Sequence, residues 1–221
     1  MFQDFGYLLF IVASLAIGGF SSWYVNHQLK KYGKVPASNG LTGLEAAVGM
    51  LSYYGIHNVG VSEGQEGQDH YDPRTRSIAL SPSVFRERSI TAIATACHEV
   101  GHACQHAQDY TPMKIRSAIV PVVNLASNAW MFILMIGIML NFLGLINLAI
   151  IMYACVLFFQ LVTLPVEFNA SSRAMKYMKT VGVPQQDLGG AGSVLRACAF
   201  TYLAAALISV LQLLWLLSQR R

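Results

Sequence analysis

Long apolar runs and polar stretches alternate along the chain. The runs are 5–25, 118–164 and 197–217. A helix needs about 20 apolar residues to cross a bilayer. The first and last runs therefore predict one crossing each. The middle run is too long for one and predicts two, at 118–140 and 145–165, parted around Asn141 to Gly144. Two polar segments remain, 26–117 and 166–195. In the larger, Gly33 to Gly40 reads as a turn-rich linker. Thr42 to Glu45 is a capping box opening a helix that ends near Gly55. Val59 and Val61 suggest a short strand, and Gly64 to Gln68 a loop. A turn at Asp72-Pro73-Arg74-Thr75 leads into another strand. Ser81-Pro82-Ser83 opens a short helix, and Ser89 is placed to cap a longer one through Ala107. In the smaller segment a helix over 166–174 runs on to a break at Gly182-Val183-Pro184, and Gly189 to Gly192 reads as a loop. The expected fold is mainly α: a single polytopic membrane domain over 1–221 with four transmembrane helices and a small α+β polar part.

Composition agrees. Of 221 residues, 54% are hydrophobic and 12% charged, and mean hydropathy is +0.46, far from a soluble average. The net charge of +4 reads as a topology signal beside apolar segments, not as a nucleic-acid surface. Asp4 is the only charge before the first run and no clear cleavage site follows, so that run reads as a retained helix. Nine Lys and Arg residues (30, 31, 34, 114, 116, 173, 176, 179, 196) flank the membrane on one side, against Arg220 and Arg221 on the other. That bias predicts a cytoplasmic polar part. The four cysteines show no disulfide framework and read as reduced, buried thiols.

The chemistry lies in Ala92 to Ala107. His98-Glu99-Val100-Gly101-His102 is an H-E-x-x-H pattern on a predicted helix. Residues four apart share a helix face, so His98 and His102 can present two imidazole nitrogens to one zinc ion. Glu99, on the adjoining edge, can reach a water as general base without being a ligand. A catalytic zinc needs a third protein ligand. His106 is four further along the same helix, too far up the axis to join one tetrahedral ion. Glu167 is the better candidate, because two crossings return the chain to the side of His98 just before it. For the carbonyl oxyanion, Arg173 is favoured over His106 and Tyr177.

These residues carry a family resemblance. His70-Tyr-Asp-Pro73, His98 to His106, Ser117 to Leu125 and Leu161 to Ala174 (LVTLPVEFNASSRA) resemble the YugP-type membrane zinc metallopeptidases. More distantly, the H-E-x-x-H helix with a later E-F-x-A resembles the HtpX and Ste24 group of membrane gluzincins. The likeness implies a zincin-like polar part in a bacterial cell membrane, with Zn2+ held by His98, His102 and Glu167. Those relatives usually carry Asp after E-F-x-A. Here Ser171 stands there, and Asn169 or Ser171 is expected to take over as hydrogen-bond partner of a ligand histidine.

The expected function is zinc-dependent endopeptidase activity at the cytoplasmic membrane surface. Its partners would be the lipid bilayer and protein or peptide substrates that are membrane-attached or unfolded, with no nucleic acid. The sequence leaves oligomeric state open. An intramembrane protease would need an Asp in a later span, and none is there. A transporter would need paired ionisable groups inside its helices. A non-catalytic zinc-binding scaffold has no use for Glu99.

Overall fold

The computed structural model describes residues 2–218; Arg220, Arg221 and the side chain of Asp4 lie outside that description. The protein is mostly helical, with one three-stranded sheet. Four described helices are long and apolar enough to cross a membrane: 8–33, 111–139, 143–180 and 185–218.

The polar part is built on one helix, α4 (Ile90–Ala107). The Ser89 hydroxyl accepts from the Ala92 N–H at 3.1 Å, satisfying a donor that the helix start leaves open. Thirteen of its residues are buried, so it behaves as a core helix touched from every direction. Against it packs α2 (Gly43–Tyr53), which begins with the expected reciprocal capping box of Thr42 and Glu45 and lays Ala46, Ala47, Met50 and Leu51 into the core. A Cβ on Gly43 would collide with the Val84 carbonyl oxygen, so only glycine lets this helix start so close to its neighbour.

The sheet has the order β1-β3-β2. β1 (Gly60–Glu63) runs parallel to β3 (Ser77–Leu80), and β2 (His70–Asp72) antiparallel to it. Asp72 Oδ1 accepts from the Arg74 N–H at 2.9 Å and shapes the expected turn. Ile78 and Leu80 are fully buried and tie the sheet to the core around α2 and α4. β2 is an outer strand and also touches α4. After the sheet comes the one-turn α3 (Pro82–Phe85).

The membrane helices differ from expectation in extent. α1 (Phe2–Gly33) runs beyond 5–25, and its end is anchored to the polar part by Thr91 Oγ1, which donates to the Leu29 carbonyl at 3.0 Å. α5 (Thr111–Met139) and α6 (Leu143–Thr180) form a hairpin that turns at Asn141, whose φ is +49°. The expected separate helix after Pro165 does not exist: α6 continues through it. Proline removes one N–H and need not end a helix whose other bonds and packing hold. The break at Gly182, with φ +80°, is where the sequence placed it.

The expected loop at Gly189 to Gly192 is also corrected, since α7 (Gln185–Ser218) is helical throughout. Gly190 serves close packing. A Cβ at Gly190 would meet the Tyr32 ring at 2.9 Å and Ile90 at 3.1 Å. Asp187, buried in the first turn, accepts from the Ser38 N–H at 2.7 Å and its hydroxyl at 3.0 Å, pinning the linker to α7.

Candidate metal centre

α4 and α6 approach more closely than side chains normally allow. A Cβ at Gly101 would lie 2.6 Å from the Ala170 carbonyl oxygen and 2.9 Å from its Cα. Ala170 and Val166 are themselves fully buried. The small residue in the middle of H-E-x-x-H is therefore what brings Glu167 to the two histidines.

His98, His102 and Glu167 each offer a ligand atom, all within 4.8 Å of one another. Glu167 Oε2 lies 3.2 Å from His98 Nε2 and 3.6 Å from His102 Nε2. The imidazole rings stand edge to face, 4.8 Å between centroids. Glu167 and His102 are buried, at 2% and 6% exposure.

The outer nitrogens decide what the inner ones offer. Gln105 Nε2 donates to the Val166 carbonyl at 2.7 Å and to Asn169 Oδ1 at 3.1 Å. That turns its oxygen toward His102, whose Nδ1–H donates to Gln105 Oε1 at 3.0 Å. The proton of neutral His102 is thereby on Nδ1, and Nε2 faces the carboxylate with a lone pair. Ser171 Oγ stands 3.1 Å from His98 Nδ1 and favours the same arrangement. Three electron-rich atoms thus converge in a buried space and call for a cation. Burial works against charge on His102. The carboxylates of Glu167, against Nε2, and of Glu99 favour positive charge there more strongly, holding its pKa above the usual histidine value, and a proton or a metal ion on Nε2 answers the same demand. Two imidazoles and one carboxylate with a side left open are a donor set that suits zinc.

Glu99, buried at 7% exposure, lines a cavity of about 510 Å3 beside His98. Leu29 of α1 and Leu195, Cys198 and Tyr202 of α7 form part of the wall. A second cavity of about 520 Å3 is lined by β2 and the start of α5, including Tyr71, Arg116 and Asn124.

The expected stand-ins for the missing Asp take different places. Ser171 reaches a candidate ligand directly, whereas Asn169 acts one bond further out, through Gln105. Arg173 donates from Nε to Asn169 Oδ1 at 2.7 Å and from Nη1 to Gln108 Oε1 at 2.6 Å. A second cation is closer to the carboxylate: Arg116 Nη1 lies 3.6 Å from Glu167 Oε1, an atom with no hydrogen-bond partner of its own. In the sequence Arg116 reads only as a topology charge, and Gln105 carries no mark of a role except its position three after His102, next on the same face. His106 lies outside the cluster, its Nδ1 2.7 Å from the Tyr71 hydroxyl. Cys97 and Cys104 are fully buried. Burial pushes the Cys97 thiol up to about 12 and that of Cys104 to about 11, so neither is a thiolate donor.

The profile of a family described as "Putative neutral zinc metallopeptidase" matches residues 7–221. A curated relative, "Putative membrane protease YugP" of Bacillus subtilis (strain 168), is 45% identical over 213 residues, covering 94% of this chain and 94% of that protein. No solved structure matches the chain.

Proposed function

The chain belongs to this family of neutral zinc metallopeptidases, and from that premise we propose that it hydrolyses peptide bonds of membrane-attached or unfolded proteins at the cytoplasmic membrane surface. His98, His102 and Glu167 hold zinc, giving a gluzincin-like H-E-x-x-H plus Glu centre. The observation that carries this reading is the convergence of His98 Nε2, His102 Nε2 and Glu167 Oε2, with the outer imidazole nitrogens already engaged. Zinc bound there supplies a Lewis acid for the scissile carbonyl and lowers the pKa of water.

The rest falls to the chain. Glu99 takes the proton from the attacking water and returns it to the leaving amine. Gln105 and Ser171 hold the histidines in the required tautomer. Arg173 is the proposed oxyanion donor and Arg116 its competitor; the substitution that lowers kcat with little change in KM identifies the donor. The flanking Lys and Arg residues support the cytoplasmic orientation.

The test is cleavage of casein by the purified, detergent-solubilised protein with zinc, with chelator, and as Glu99→Gln. The expected result is cleavage lost with chelator and reduced by about a thousandfold in Glu99→Gln, with zinc content of that variant unchanged. Stoichiometric zinc without cleavage in any sample would favour a zinc-binding scaffold. Absence of bound zinc would overturn the assignment.

A further inference from the structure

One face of α5 does not match its surroundings. Ser117, Pro121, Asn124 and Asn128 follow the i, i+4, i+7, i+11 spacing of a single helix face, and all four are exposed. The last three fall within the predicted crossing. Asn128 Nδ2 donates to the Asn124 carbonyl at 2.8 Å, and Ser127 Oγ to the same carbonyl at 3.2 Å. Both bonds stay within α5, and the Asn124 amide has no partner among the described residues. Pro121 has no N–H for the Ser117 carbonyl, four residues earlier on the same face, so that acceptor is open as well. Polar groups left uncommitted at the level of a membrane crossing are unfavourable unless a partner meets them.

The stripe has direction. At one end, Ser117, Pro121 and Asn124 line the cavity shared with Tyr71 of the outer strand β2 and with Arg116 beside Glu167. At the other end, the same face continues as Met131, Met135 and Met139, exposed at 54%, 62% and 79%. Polar groups stand near the candidate metal centre, and adaptable apolar ones lie deeper.

From this gradient we propose that the α5 face is the docking track for the membrane-spanning segment of a substrate, unwound at the end nearest the centre and helical beyond it. This rests on the protease reading above. A segment presented to β2 must be extended, and a helix leaving the bilayer must lose intrahelical bonds to become so. The N–H and C=O groups released there need partners in a low-dielectric setting. Asn124, Asn128 and the open Ser117 carbonyl supply both donors and acceptors. The methionines pack against the part that stays helical, whatever its sequence. Continuity with the cavity selects this occupant over a second copy of the chain, whose helix on the same face would cover the way to Arg116.

The experiment uses zinc-loaded Glu99→Gln protein in lipid nanodiscs, with a photo-crosslinking residue placed singly at 128, at 135, or at Leu15 of α1, which is 70% exposed. The probe is a synthetic peptide with a Leu/Ala span of about 20 residues and a flexible polar extension. Peptide adducts are expected at least about fivefold above the Leu15 level at 128 and 135, falling toward that level at 128 when Asn124→Leu is added. The polar extension alone should give no adduct at 135. Equal yields at all three positions would overturn the proposal, and so would adducts consisting only of the chain crosslinked to itself. Because the readout is capture without cleavage, its failure is separate from failure of the protease assignment, which the casein assay decides.

Discussion

Helices α4 and α5 are consecutive, both carry polar residues at helical spacing, and the molecule treats them in opposite ways. On α4 the polar groups face inward and are tied down: Glu167, Ser171 and Gln105 engage the two histidines, and Asn169 and Arg173 stand behind them. On α5 Asn124 and Asn128 face outward and answer only to their own helix. The cause lies in the neighbours. α4 is pressed against α6 by Gly101 and Ala170, so polar atoms between them are held in place by close neighbours, Glu167 Oε1 by the charge of Arg116 alone. The outer face of α5 meets only the cavity it shares with β2 at its start, and among the described residues no helix is packed on Asn124 or Asn128. Fixed geometry suits a metal, and an open inventory of donors and acceptors suits a polypeptide that varies from one substrate to the next.

The contrast can be broken most severely at the ligand set. Glu167→Ala removes one of three converging atoms and should weaken zinc binding by on the order of a thousandfold, read by competition with a chelator of known affinity. Gly101→Val leaves every candidate ligand in place but forces α4 from α6 at backbone contact. It should lower stability by about 3 kcal/mol and carry zinc away with it, seen in thermal unfolding followed beside metal content. Gln105→Leu keeps the fold's volume yet releases the His102 ring and removes the bonds to the Val166 carbonyl and Asn169. Zinc affinity should fall by about 10 to 100-fold, with a much smaller change in melting temperature.

On α5 the same operation should do almost nothing to the metal. Asn124→Leu with Asn128→Leu is expected to leave zinc affinity unchanged and shift stability by no more than about 1 kcal/mol, measured in the same two assays. Smallest of all is the response of the cysteines on α4. With the Cys97 thiol held up to about 12 and Cys104 up to about 11, their thiolate fraction at neutral pH is minute and grows only as pH rises toward those values. A thiol reagent at pH 7 should leave both unmodified in the folded protein, by mass spectrometry.

Much of this was legible in the chain. Apolar run length located all four membrane helices, because bilayer thickness leaves little freedom. Thr42, Glu45 and Ser89 marked helix starts because capping is local chemistry. His98 and His102 were legible because four-residue spacing is a property of the helix itself. Counting crossings then brought Glu167 to the same side. The misses are those where tertiary packing overrode a local signal. Gly189 to Gly192 looked like a loop, but it is helical, and Gly190 admits Tyr32 and Ile90 to the surface of α7. Pro165 looked like a terminator, but α6 carries on. Arg116 looked like a membrane flank, and only the folded chain shows it beside Glu167.

The uninterrupted course of α6 has a mechanical corollary. Its 38 residues span roughly 57 Å, against a hydrocarbon thickness of roughly 30 Å, so one rod is anchored in lipid at one end and bears the third candidate ligand, Glu167, beyond its middle. Its only internal break in the hydrogen-bond ladder is at Pro165, two residues before Glu167. Any tilt of the rod must carry α4 with it, because the two helices meet at backbone contact at Gly101 and Ala170 and Gln105 is bonded to Val166 and Asn169, so the three candidate ligands ride in the membrane as one rigid unit.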